Sequence, residues 1–445
     1  WDMMQNSFYI LFFLGTLILG AFVLRVYLPL RFDFTEEKVH SLSSHTEQIL
    51  SQLEKPLLVR IFSLGAEPPS KVKTLLDRYA AQNTNFRWQA LDPDTHRTLV
   101  EKLGIQEKDT LHFSFPEEKE AQGIILARNI DEEGITNALI TLLRGRTTTI
   151  YVPQSHGEGS LVATEEYGFS FLRESLLGEG YSLQVLDLIS ENSIPLKDSL
   201  LLVLAPKKEF LEGEKKKIRE FLNAGGSAFF LLEPLYNDLS KEFLLEKGIV
   251  PGDDMIVDRE AFTFKDGVLG VQPLVDTFST HPSVSGFNKT IILSTASSVR
   301  KAGGADQVKE VAFTSPSSWA ETNIELLYSD TPTAEKDDND IAGPVSIAAV
   351  FQDTVSGKDQ RIMAIGDLDF VANANIRQLF NRDFVLNAIN WTVGEDYAVS
   401  IRAGTLRKSQ EVITPSQFKS IFIMAGVLLP EIVLLLGIGI WVSRR

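Results

Sequence analysis

Two long apolar runs, one at each end, constrain this chain more than any other feature. Phe8–Leu28 is interrupted only by Thr16 and Arg25, and Ile421–Val442 carries Glu431 after Pro430. Each run is roughly 20 residues long, and at ~1.5 Å rise per residue such a helix crosses a ~30 Å hydrocarbon core. The first run is too long for the apolar stretch of a cleavable signal peptide, and no A-x-A site follows it. Tyr27 and Trp441 fall near the ends, where amphipathic rings prefer the interface. Both runs are therefore expected to span a bilayer, leaving the two chain ends on one side and everything between them on the other.

Charge decides the orientation poorly. Arg444 and Arg445 favour a cytoplasmic tail, whereas Arg25 and Arg31 flank the first run on its opposite side. A carboxylate inside a membrane span is expensive and turns toward protein or water. Glu431 is therefore a candidate contact with a partner membrane subunit or with Arg25. The alternative is a protonated or snorkelling side chain in a helix kinked by Pro430.

The region between the runs reads as water-soluble. It dominates a chain of 445 residues with 59 acidic and 43 basic side chains and a formal charge of −16. Such a surface repels phosphate backbones, so no nucleic-acid partner is expected. The sequence contains no cysteine. That removes thiol nucleophiles, redox pairs, thiolate metal sites and disulfides together. No G-x-x-x-x-G-K-[ST] run is present, so the chain has no phosphate-cradling ATPase loop.

Apolar periodicity divides the body in two, giving an α/β fold class overall. In 31–146, strands are expected at 56–64, 86–91, 110–115 and 123–127. Helices are expected at 71–81, with Val72, Leu75, Leu76 and Tyr79 on one face, at 96–103 and at 132–143. This β-α-β-α-β-β-α order resembles a thioredoxin-like domain, here lacking the Cys-x-x-Cys that would give it redox chemistry. In 147–417, strands at 148–152, 181–188, 199–205 and 228–232 alternate with helices, the pattern of a parallel, doubly wound sheet. The rhythm breaks over an insertion at about 258–345, which includes a polar run, TPTAEKDDNDIAG, read as a mobile loop. It returns with strands at 345–351 and 361–365 and a final helix containing Phe384, Leu386, Ile389 and Trp391. The anchors occupy 1–30 and 418–445.

Open parallel sheets bind ligands beyond the carboxyl ends of their strands. Three segments fall there, containing Gln154, His156 and Glu158; Lys207 and Lys208; and Asp367 and Asp369. His156 with Glu158 could act as an acid–base pair, and Asp367 with Asp369 could hold a hydroxyl or a metal. The alternative is ordinary loop chemistry, with an aspartate capping the next helix. These residues are candidate ligand contacts; no catalytic residue, resident metal or cofactor is assigned.

Four stretches together resemble the GldG-like auxiliary subunits of ABC transporters, named for gliding motility. They are RFDFTEEKVHSLSSHTEQIL after the first run, HGE at 156–158, APKKEFLEGEKKKIREFLNAGG, and GDLDFVANANIRQLFNRDFVLNAINWTVGEDYAVSIR before the last run. The resemblance implies a non-enzymatic module that gates, tethers or binds substrate beside a separate permease and ATPase. It also implies a second domain similar to glutamine-amidotransferase-like and sugar-binding domains, with a saccharide or polymer as candidate ligand. It places the chain in a bacterial inner (cytoplasmic) membrane, two-pass, with its body extracytoplasmic (periplasmic) and both ends cytoplasmic. The amidotransferase nucleophile, a cysteine, is missing, which argues against amide hydrolysis. Two rival readings remain: a membrane-tethered hydrolase acting on glycans, and a purely structural envelope scaffold.

Overall fold

The computed structural model describes residues 42–116, 123–126, 130–145, 147–236, 238–258, 271–327, 335–396, 422–428 and 430–431. The chain separates into Trp1–Leu42 and Ser43–Arg445, and the fold is that of the second unit. The expected amino-terminal span lies outside the described residues, as does most of the carboxyl-terminal one, in which Met424–Leu428 forms a π-helical turn. Among the described residues no helix is long and apolar enough to cross a membrane.

The first sheet carries α1 (Ser44–Ser51), β1 (Leu57–Phe62), α2 (Ser70–Gln82), β2 (Phe86–Leu91), α3 (Arg97–Leu103), β3 (Thr110–Ser114), β4 (Ile124–Leu126) and α4 (Glu132–Arg144). After α1, which the apolar spacing did not announce, the element order is the expected one. Strand order is β2-β1-β3-β4; β1 and β2 are parallel, and β3 and β4 each run antiparallel to the preceding neighbour. Leu57, Val59 and Ile61 alternate into the core from β1. Two caps set the helix starts: the Ser43 hydroxyl accepts from Thr46 N–H, and the Asp131 carboxylate accepts from Gly134 N–H. The helices are then stitched together, because Glu132 accepts from Ser43 N–H and from the Thr46 hydroxyl, both at 2.7 Å. Tyr79 donates to Glu132 C=O at 2.9 Å, and burial pushes its phenol up from the usual value.

The second, larger sheet begins with β5 (Thr149–Pro153), α5 (Ser170–Gly178), β6 (Ser182–Leu186), β7 (Ser199–Leu204), α6 (Glu212–Asn223), β8 (Ser227–Leu231) and α7 (Asp238–Leu245). Short strands follow: β9 (Ile249–Pro251), β10 (Met255–Val257), β11 (Leu274–Val275), β12 (Thr277–Phe278), β13 (Ile291–Ile292) and β14 (Val299–Lys301). The chain continues through β15 (Val308–Phe313), β16 (Trp319–Glu321), α8 (Ile324–Leu327), β17 (Ile341–Ala342), β18 (Ser346–Val355), β19 (Lys358–Ile365) and α9 (Asn381–Thr392).

Eight of these strands form one sheet in the order β12-β15-β18-β19-β8-β7-β5-β6. Strands β6, β5, β7, β8 and β19 are mutually parallel, as the alternating pattern requires. Beyond β19 the sheet turns antiparallel through β18, β15 and β12. This departs from the wholly parallel expectation, and the reason is local. Val355 pairs with Lys358, leaving Ser356 and Gly357 as a two-residue turn with φ of 52° and 75°. Positive φ at both central residues is the hairpin turn whose twist matches antiparallel strands. The stretch read as an insertion thus supplies β12 and β15 to the main sheet. Of the polar run read as a loop, 335–340 makes turns tied by Asp340, which accepts from Thr322 N–H at 2.9 Å and Asp337 N–H at 2.8 Å.

Both faces of the parallel half are covered. Leu200, Leu202 and Leu204 of β7 join one core with Leu172, Leu176, Phe384 and Ile389 from α5 and α9. Leu201 and Val203 join the other with Ile218, Phe221, Leu222 and Phe243 from α6 and α7. That is why β7 reads as an unbroken apolar run rather than an alternating one. Each fully buried leucine contributes ~2 kcal/mol by transfer.

Candidate functional site

The parallel strands occur along the sheet in the sequence order 2-1-3-4-5, counting β5 as the first. In such an order the chain reverses direction between the first and third strands, and their carboxyl ends splay apart. The loops after β5 and β7 therefore leave the sheet on either side of one crevice. His156 and Glu158 stand on the first loop and Lys207 and Lys208 on the second. The two loops are joined, since Lys207 N–H donates to His156 C=O at 2.8 Å and Gly159 N–H donates to Leu204 C=O at 3.0 Å. Gly157 has φ of 78°, and a Cβ there would stand 3.2 Å from Lys207 Cβ. Two non-glycine residues on this edge also take left-handed backbone, Ser155 at φ 119° and Ala205 at φ 39°. Such strain persists only where surrounding contacts hold it.

What holds it is a buried three-residue bridge. His156 Nδ1 lies 3.1 Å from Glu158 Oε1, and Nε2 lies 3.0 Å from Glu214 Oε2. The side chains are only 9%, 1% and 3% exposed for His156, Glu158 and Glu214. Glu158 also accepts from His156 N–H at 2.7 Å, and Glu214 accepts from Leu211 N–H at 2.7 Å at the start of α6. The imidazole packs on Phe210, with ring centroids 4.7 Å apart. A carboxylate oxygen thus stands at each ring nitrogen. The expected His156–Glu158 pair thus exists, completed by a third residue that sequence reasoning missed. Glu214 gives no chemical signal in the sequence, where it is one acid of a charged helix start.

A second polar group lies farther along the same edge. Asp367, after β19, is buried and accepts from Ser294 N–H at 2.6 Å and Phe370 N–H at 3.1 Å. Its carboxyl is raised well above the usual carboxylate range, first by burial and next by Glu233. Asp369 is also raised by burial, against the lowering effect of Lys207. Glu233, immediately after β8, was not among the candidates, although its place at a strand's carboxyl end was a usable signal. It is pushed up to about 7 by burial and by Asp369, opposed by its Thr295 hydrogen bond and by Lys207. Its Oε2 is buried and has no hydrogen-bond partner among the described residues.

Lys207 is exposed and feels both Glu233 and Asp369; its ammonium stands 5.7 Å from the Tyr236 ring centroid. Lys208 is exposed, and Gln154, half-buried, is held by its backbone N–H to Leu186 C=O at 3.4 Å. Asp367 therefore does the structural work of fixing two backbone N–H groups, with Glu233, Asp369 and Lys207 grouped beside it. Among the described residues no three His, Asp or Glu side chains gather closely enough to hold a metal ion. Of the candidate membrane contacts, Glu431 is helical and exposed, and Arg25 lies outside the described residues.

The comparisons with known proteins add the following. No curated protein matches the chain. Among solved structures, the mmIFT52 N-terminal domain is 15% identical, with 56% of this chain and 98% of that one covered at a TM-score of 0.41. A protein described as ThuA-like from Bacteroides uniformis is 15% identical, with 56% and 92% covered at 0.35. A cytoplasmic protein from Salmonella typhimurium is 11% identical, with 55% and 98% covered at 0.31. Likeness at this level assigns neither an activity nor a partner. Residues 36–125 match the model of a domain of unknown function. Residues 147–256, the segment holding the His156 bridge, Lys207 and Glu233, match the family described as an ABC-type uncharacterized transport system, which supports a transport-associated auxiliary role.

Proposed function

We propose that this chain is a membrane-anchored auxiliary subunit of an ABC transport complex, acting beside a separate permease and a separate ATPase. The match of residues 147–256 to the ABC-type transport family carries the reading. Phe8–Leu28 and Ile421–Val442 supply the anchors, with Glu431 and Arg25 as contacts for a partner's membrane helices. The acidic α/β body stands on the extracytoplasmic side of a bacterial inner membrane and gates, tethers or receives substrate, a saccharide or polymer being the class the resemblance favours. The role is non-enzymatic: His156 and Glu158 are locked into a buried bridge, and Asp367 is committed to backbone N–H groups.

Co-purification from membranes in mild detergent tests this. The expected result is a complex containing an ATPase and a permease. A chain that purifies alone, with neither partner enriched, sinks the proposal. Protease added outside spheroplasts should cut the body; cleavage from the cytoplasmic side alone would reverse the orientation.

A further inference from the structure

Apart from the carboxyl edge, a cleft of about 740 Å³ opens where α4 of the first sheet faces α5 and the segment leading into α9. That volume lies within the range of small-molecule sites, which favour such junctions. Its walls join Ile124 and Leu126 of β4 to Phe171 of α5 and to Ile376 and Leu379 before α9. Leu379 holds a left-handed backbone at φ 43°, a strain found where surrounding structure imposes a particular wall shape.

The charges lining the cleft are unequally satisfied. Arg382 pairs with Glu133 and donates from Nε to the Ser175 hydroxyl at 3.0 Å. Asp131 is engaged by Gly134 N–H at 2.9 Å. Arg377 differs: its guanidinium lies 3.7 Å from the Phe171 ring centroid, and among the described residues no carboxylate pairs with it. A guanidinium over an aromatic face can still offer N–H donors to a carboxylate. Glu174 and Asp383 also line the cleft, and their repulsion grows with ligand charge, so a singly charged anion is disfavoured less than a multiply charged one such as phosphate.

We infer that this cleft is a binding site for a small amphipathic monocarboxylate, its apolar body against Phe171, Ile376 and Leu379 and its carboxylate on Arg377. Because one wall belongs to each sheet, occupancy would brace the two halves of the body against each other. The inference is independent of the transport role.

The test is isothermal titration of the full chain in detergent with N-acetyl-leucine, against N-acetyl-leucinamide and against empty micelles. The acid should give saturable binding, at least tenfold tighter than the amide. Arg377→Ala should lose at least tenfold for the acid with an unchanged melting midpoint, since the side chain is exposed, and Arg377→Lys should keep part of it. Equal binding of acid and amide, full affinity in Arg377→Ala, or no saturable binding of the acid would each overturn the inference.

Discussion

The carboxyl edge of the large sheet carries two polar clusters built on opposite principles. Around His156 the hydrogen-bonding groups are complementary: one imidazole sits between two buried carboxylates, each also holding a backbone N–H. Around Glu233 the charges are alike: Asp369 raises the proton affinity of Glu233, both raise that of Asp367, and an exposed Lys207 opposes the rise at Glu233 and Asp369. The first arrangement fixes two loops in strained backbone. The second leaves Glu233 and Asp369 costly to ionise at the sheet's edge. One strand edge thus hosts a strut and a poised surface.

The largest expected effect comes from breaking the strut. Glu214→Ala removes one of the two carboxylates on His156 and the acceptor of Leu211 N–H, and leaving these two polar groups unpaired costs on the order of 1–3 kcal/mol each. Differential scanning fluorimetry should place the midpoint about 10 °C lower. A drop under about 2 °C would mean that the bridge is ornamental and the contrast false.

Next comes the acidic group. Below pH 4.5, the ordinary value for Glu233, its carboxyl is protonated folded and unfolded alike; between there and about 7 only the unfolded form ionises. Stability therefore falls as pH rises through that window, and the full penalty remains above it. Glu233→Gln should stabilise the protein at pH 8 by on the order of 2–3 kcal/mol and have little effect at pH 4. Equal effects at both pH values would show that Glu233 is not poised.

Smaller still, Asp369→Asn removes the second cause of the Glu233 shift. The folded carboxyl should then release its proton at lower pH, and the pH 8 gain from Glu233→Gln should shrink in that background. Smallest is Lys207→Ala. Loss of the ammonium should move the Glu233 titration upward and enlarge the same gain, by less than about 1 kcal/mol because Lys207 is solvated. A shift in the opposite direction would remove Lys207 from the cluster.

Much of the scaffold was legible beforehand because burial leaves a pattern. SLLLVL reads as a strand covered on both faces, and β7 is that strand. The Ser356-Gly357 turn was also legible in principle, but the strands on either side were read as independent members of a parallel sheet. His156, Glu158, Lys207 and Asp369 could be named from the rule that loops at strand carboxyl ends meet ligands. Glu233 was available to the same rule. Glu214 was not, because it reaches His156 from 58 positions away and a sequence does not show which helix start faces which loop.

By itself, the sequence determined the apolar ends, the acidic cysteine-free body and the alternation of strands with helices, because solvent preference and backbone periodicity are properties of neighbouring residues. Only the tertiary structure decided which acids share a space, that His156 is a strut, and that Arg377 rests on Phe171 beside a cleft. Those outcomes depend on distance through space, where a carboxylate's chemistry is set by the charge and water around it.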